Sequence, residues 1–202
     1  MKYEDIDDET KDLLKELGNI GTGNAVTSLA QMMNSPFDIE NTTLRLVNYR
    51  EVLQALNVTE EIQTGIIVEI FGKLKGIFLF LMNRAFTETI LNAFLGEGER
   101  DMTQLEDMEI SVLNELGNIM CGSYIRALSQ LLNLDIDVSV PDLCIDMGGA
   151  ILSVPLSRFL KVSDNVLLIE NEFRMGDNLF TCRLLFMPEM DSLDTLLQAL
   201  GK

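Results

Sequence analysis

The chain runs to 202 residues, 47% of them hydrophobic, with 32 Asp and Glu against 15 Lys and Arg for a formal net charge of −17. Such a charge repels phosphates, which argues against nucleic acid or an anionic membrane surface as partner; its bland reading is solubility, and the alternative is a complementary basic protein partner. There is no histidine, which removes Ser-His-Asp and Cys-His catalysis, the commonest metal ligand and the commonest neutral-pH general base.

The first ten residues, MKYEDIDDET, hold no apolar run of the kind a secretory signal needs. No stretch approaches the roughly 18 apolar residues of a membrane span; the longest, GIFLFLM from Gly76, is strand-sized. Cytoplasmic residence without membrane insertion is the expectation. Cys121, Cys144 and Cys182 form no C-x-x-C pair and read as small buried hydrophobes in a reducing compartment.

In chain order, DLLKELGNIGTGNAVTSLAQMMN (Asp12 to Asn34) predicts a helix. Strands follow over Phe37–Val47, Gly65–Phe71 and Leu74–Leu81, with FGKLKG as a hairpin turn. MNRAFTETILNAFLG, from Met82, is a second helix closing on a glycine. The pattern then restarts. SVLNELGNIMCGSYIRALSQLLN (Ser111 to Asn133) is helical, Leu134–Asp146, Val166–Phe173 and Leu179–Phe186 read as strands, RMGDN is a turn, and MPEMDSLDTLLQALG is a closing helix.

The restart is a repeat. At an offset of 99, Leu14, Glu16, Leu17, Gly18, Asn19, Ile20, Gly23, Leu29, Gln31 and Asn34 recur as Leu113, Glu115, Leu116, Gly117, Asn118, Ile119, Gly122, Leu128, Gln130 and Asn133. Two copies of a helix-strand-hairpin-helix unit predict an α/β fold with pseudo-two-fold symmetry, a mainly antiparallel sheet flanked by helices. The chain reads as one domain over 1–202, made of repeats at about 11–98 and about 104–202.

At about 100° per residue, Asp12, Glu16, Asn19 and Gly23 fall on one stripe of the first helix, and Ser111, Glu115, Asn118 and Gly122 on the matching stripe of the second. Leu14, Leu17, Gly21 and Ala25 lie on the opposite arc, as do Leu113, Leu116 and Tyr124. Asn is a poor mid-helix residue, and each helical Gly costs about 1 kcal/mol relative to Ala. Gly23 and Gly122 would clear space beside the Glu and Asn for a visiting protein surface. An Asn amide donates and accepts, so it can hold a water for attack, and a Glu can pair with a partner lysine. Such a pair suits a substrate that brings its own reactive bond, for instance a phosphoryl group held by another protein. The bland alternative is a solvated helix face. A metal site from Asp12 and Glu16 would lack a third ligand.

A helix reading D/S-x3-E-x2-N, with a proline 23 positions beyond the Asn, resembles the CheC/CheX/FliY family of chemotaxis phosphatases. Two such helices on about 200 residues resemble the CheC type within it. The resemblance implies dephosphorylation of phospho-CheY, the aspartyl-phosphate form of a receiver domain. The Asn orients the hydrolytic water, the Glu pairs with the receiver's active-site lysine, and Mg2+ accompanies the substrate, with no cofactor of the phosphatase's own. Carried over residue by residue, the first site is Asp12, Glu16 and Asn19, and the second is Ser111, Glu115, Asn118 and Pro141. Thr42 stands where the first half would have its proline. The resemblance also implies binding to the receptor deamidase CheD, with Asp146 in CIDMGGA as a contact, although a Gly-Gly there is equally a plain turn. The alternative is a non-enzymatic, CheD-sequestering or flagellar-switch adaptor, similar to the middle domain of FliM.

Overall fold

The computed structural model describes residues 7–48, 50–58, 60–159 and 165–200. In chain order the elements are α1 (Asp8–Met33), β1 (Asp38–Asn48), α2 (Val52–Leu56), β2 (Ile62–Gly72), β3 (Gly76–Asn83) and α3 (Arg84–Leu95). They continue with α4 (Asp107–Leu132), β4 (Ile136–Val138), β5 (Asp142–Met147), α5 (Gly148–Phe159), β6 (Asn165–Met175), β7 (Asn178–Pro188) and α6 (Met190–Ala199).

The two long helices are defined at both ends by local chemistry. Asp7 caps α1, its side chain accepting from the Thr10 amide, and Glu106 with Glu109 forms a capping box on α4. Asn34 and Asn133, the last identity of the repeat, both end their helices in the left-handed region at φ 47° and 51°. Asn is among the few side chains that tolerate that conformation.

Among the described residues, all seven strands join one sheet in the order β1-β6-β7-β3-β2-β4, with β5 also on β2, and every pairing is antiparallel. The halves interlock. β1 of the first half pairs with β6 of the second, and β4 and β5 of the second pair with β2 of the first. The hairpins meet at β3 and β7, where Phe78 stacks on Phe186 with ring centroids 4.6 Å apart. α1, α3, α4 and α6 cover one face through Leu14, Phe86, Leu113 and Leu196. α2 and α5 cover part of the other through Leu56, Ile151 and Leu152. Central β3 is buried on both faces, which explains its unbroken apolar run.

Two local readings are corrected. The strand expected over Leu134–Asp146 is split at Ser139–Pro141 into β4 and β5, because Pro141 has no N–H for the ladder. The Gly-Gly after Met147 opens α5 instead of forming a plain turn. Gly148 is required there by close approach: a Cβ on it would lie 2.4 Å from the Val58 carbonyl oxygen, and its amide donates to the Glu61 carbonyl at 2.9 Å.

Candidate functional site

α1 and α4 lie side by side on the sheet, and their glycines divide into two sets. The inner set makes contact possible. A Cβ on Gly21 would fall 2.5 Å from Tyr124 Cε2, one on Gly18 3.2 Å from Ile169, and one on Gly117 3.0 Å from Ile66 and 3.4 Å from Pro141. The Ser28 and Ser123 hydroxyls, 2.7 Å apart, tie the two helices together. The outer set is open: nothing lies within 4 Å of a Cβ on Gly23 or Gly122.

The outer stripes carry the polar residues expected there. Asp12 and Glu16 are exposed and Asn19 is half-buried. Ser111, Glu115 and Asn118 are exposed. Neither Asn is sealed inside the fold. Among the described residues, Glu16, Asn19, Glu115 and Asn118 make no side-chain hydrogen bond or ion pair. Asn24 behaves differently, its amide donating back to the Ile20 carbonyl at 2.8 Å. Each stripe thus presents an acceptor-only carboxylate and, one turn on, a donor-acceptor amide, with a glycine gap beyond.

Pro141 is half-buried beneath Gly117. Thr42, its counterpart in the first half, is half-buried in β1 and donates from Oγ1 to Asn171 Oδ1 at 3.0 Å. Asp146 stands apart from both stripes. It is exposed on edge strand β5 opposite Gln63, and its Oδ1 accepts from the Met147 amide at 2.7 Å. Sequence reasoning missed Asn171 and the Ser28–Ser123 bridge. The serines are not at repeated positions, and Asn171 lies 129 residues from its partner, so local pattern carries no trace of either.

The surroundings of the two stripes differ. Beside Glu115, Met102, Ile110, Asn114, Pro141 and Leu143 line a groove of about 500 Å3. On the same side Met108 is 63% and Val140 82% exposed. Met108, Ile110 and Val140 correspond to Glu9, Lys11 and Asn41 in the first half. Among the described residues, no group of three or more acidic or thiol side chains is arranged to hold a metal ion, and no helix is long and apolar enough to cross a membrane.

A duplicated antiparallel α/β fold, with the same carboxylate-amide stripe open on each of two adjacent helices, defines a protein whose polar helix faces are displayed, not enclosed. A family model described as CheC-like matches residues 9–40 and 108–145, the two helices and the strands after them. The CheY-P phosphatase CheC of Bacillus subtilis (strain 168) is 29% identical over 203 residues, covering 98% of this chain and 97% of that protein. FliY of Thermotoga maritima shares the fold at TM-score 0.75 and 24% identity, over 96% of this chain and 97% of that one. The FliM middle domain from H. pylori does so at TM-score 0.68 and 13% identity, over 96% and 99%. The chain is similar in sequence to CheC-like proteins and shares its fold with FliY and FliM.

Proposed function

We propose that this protein is a phosphatase acting on the aspartyl phosphate of a phosphorylated, CheY-type receiver domain. The observation that carries the reading is the pair of open stripes, each placing a Glu and an Asn one turn apart beside a glycine gap. Similarity along nearly its full length to a protein named a CheY-P phosphatase supports it.

The reaction asks little covalent work of the enzyme. Phosphoryl transfer is accelerated mainly by positioning and electrostatics. With the receiver docked on a helix face, Glu16 or Glu115 pairs with a receiver lysine and fixes the register. Asn19 or Asn118 accepts a hydrogen bond from a water and aims its oxygen at phosphorus. The new P–O bond forms as the bond to the aspartyl oxygen breaks, the aspartate is regenerated, and the water's proton leaves on inorganic phosphate. Asp12 and Ser111 stand one turn before each Glu as supporting residues, and Pro141 seats the second helix. Mg2+ arrives with the substrate, held by the receiver. Asp146 is a docking residue for the deamidase CheD.

Phosphate release from a phosphorylated receiver tests the reading directly. Catalytic amounts of the protein should accelerate it, and the Asn19→Ala/Asn118→Ala double variant should not. A wild type no faster than the receiver alone, or a double variant equal to wild type, refutes it. The fold shared with the FliM middle domain favours one second reading, a binding role at the flagellar switch. Tight binding to a switch protein or to CheD with negligible turnover would select it.

A further inference from the structure

The two halves solve one packing problem with different chemistry. Gly117 sits on Ile66 of β2 and Gly18 on Ile169 of β6, so Ile66 and Ile169 hold the same place. Two residues along each strand, on the same sheet face, stand Val68, fully buried, and Asn171, only 3% exposed. Thr42 is paired with Asn171. Asp142 is paired with Ile67, which puts Pro141 opposite Val68. The apolar pair Pro141/Val68 of the second half is therefore Thr42/Asn171 in the first, joined by the 3.0 Å hydrogen bond.

The strand geometry around the pair is common to both halves. Ile39 pairs with Phe173 and Asn41 with Glu172, so Glu40 is an extra residue. Val138 pairs with Ile70 and Asp142 with Ile67, so three residues face two. Each half carries a one-residue bulge just before the position in question, and bulges re-aim the side chains that follow. Side chains anchor both: Glu40 to Arg174 at 2.5 Å, and Ser139 Oγ accepting from the Glu69 amide at 3.0 Å.

We propose that Thr42 and Asn171 form a positioning pair for the first site, doing under α1 what Pro141 and Val68 do under α4. A buried carboxamide is tolerated only with a partner, and Thr42 is that partner for Oδ1. Thr42 lies two residues before Leu44 on the same strand face, and Leu44 touches Gly18, the neighbour of Asn19. Losing either polar partner alone leaves the other mismatched beneath the Glu16/Asn19 stripe. Replacing both restores a matched floor. The inference rests on the phosphatase reading.

The test isolates the first site by working in an Asn118→Ala parent, with an Asn19→Ala parent as the mirror. In the first parent, Thr42→Val and Asn171→Val should each lower kcat about ten- to a hundredfold with KM little changed, and Thr42→Ser should retain it. Thr42→Pro/Asn171→Val, which installs the second half's pair, should recover the rate. If that variant does not fold by circular dichroism, Thr42→Val/Asn171→Val serves in its place, since removing both polar groups is far milder than removing one. The mirror parent should respond to none of them. Single variants that slow both parents alike, or that leave first-site kcat intact, overturn the proposal, as does a matched pair that recovers nothing. A wild type without activity overturns the functional reading and this inference with it, and that outcome is visible before any variant is made.

Discussion

Gly21 of α1 lies against the ring of Tyr124 of α4, so closely that a methyl group would overlap three ring carbons at 2.5 to 2.8 Å. Tyr124 is itself buried and edge-on to Phe78 at 5.2 Å, so the ring has nowhere to go. Gly21→Ala should destabilise by about 1–3 kcal/mol through overpacking, although Ala gains about 1 kcal/mol of helix propensity. Urea denaturation measures it, and Gly21→Ala/Tyr124→Leu should recover part of the loss. A stabilised Gly21→Ala would contradict the contact.

The outer glycines predict the opposite. With open space around Gly23 and Gly122, Gly23→Ala and Gly122→Ala should each stabilise by about 0.5–1 kcal/mol, raising Tm by about 1–4 °C. Phosphate release by the same variants should fall if the new methyl projects, as proposed, from the receiver-docking face. Melting curves and turnover measured together decide the point. A stabilised variant with undiminished turnover removes the docking role of the gap.

The apolar rim beside Glu115 should matter for binding and not for the chemical step. Val140 is 82% and Ile110 38% exposed, so Ile110→Lys and Val140→Asp should change stability by less than about 0.5 kcal/mol. In an Asn19→Ala background, which leaves only the proposed second site, they should raise KM several-fold and leave kcat alone. In an Asn118→Ala background neither should register.

Burial, the largest cause in each case, pushes the Cys144 thiol up to about 11 and the Cys182 thiol up to about 12 from an ordinary value of 9.0. Cys121 is raised further, again chiefly by burial. The sign follows from linkage: the unfolded chain gives up these protons near pH 9, and the folded chain holds them to higher pH. Stability due to the protonated thiols is complete below about pH 9 and declines as pH rises through about 11 to 12. Denaturant midpoints across that range should fall, with a shallower slope in Cys144→Ala.

Much of this architecture is legible in the sequence. The 3.6-residue period put Leu14, Leu17 and Leu113 inward and Glu16 and Glu115 outward, and it set Gly21 on the inner arc and Gly23 on the outer one, because helix faces are decided by near neighbours. What lay hidden was non-local. Nothing in the text of β1 says that its partner is β6 and not its own hairpin. The helix opening at Gly148 was masked by a double glycine and by Pro155, residues that usually break helices. The reason for glycine at 148, the nearby Val58 carbonyl, is supplied by a distant segment. Thr42 was visible as a departure from the repeat, but its meaning needed Asn171, which only the sheet register brings opposite.

The exchange of strands between the halves makes each repeat depend on the other. Expressed alone, residues of the first repeat would carry β1 with no strand beside it, β2 stripped of β4 and β5, and β3 without β7. Bare edges of that kind recruit any complementary strand within reach, and the best complement is another molecule of the same repeat. In the intact chain β6, β7, β4 and β5 of the second half fill those places.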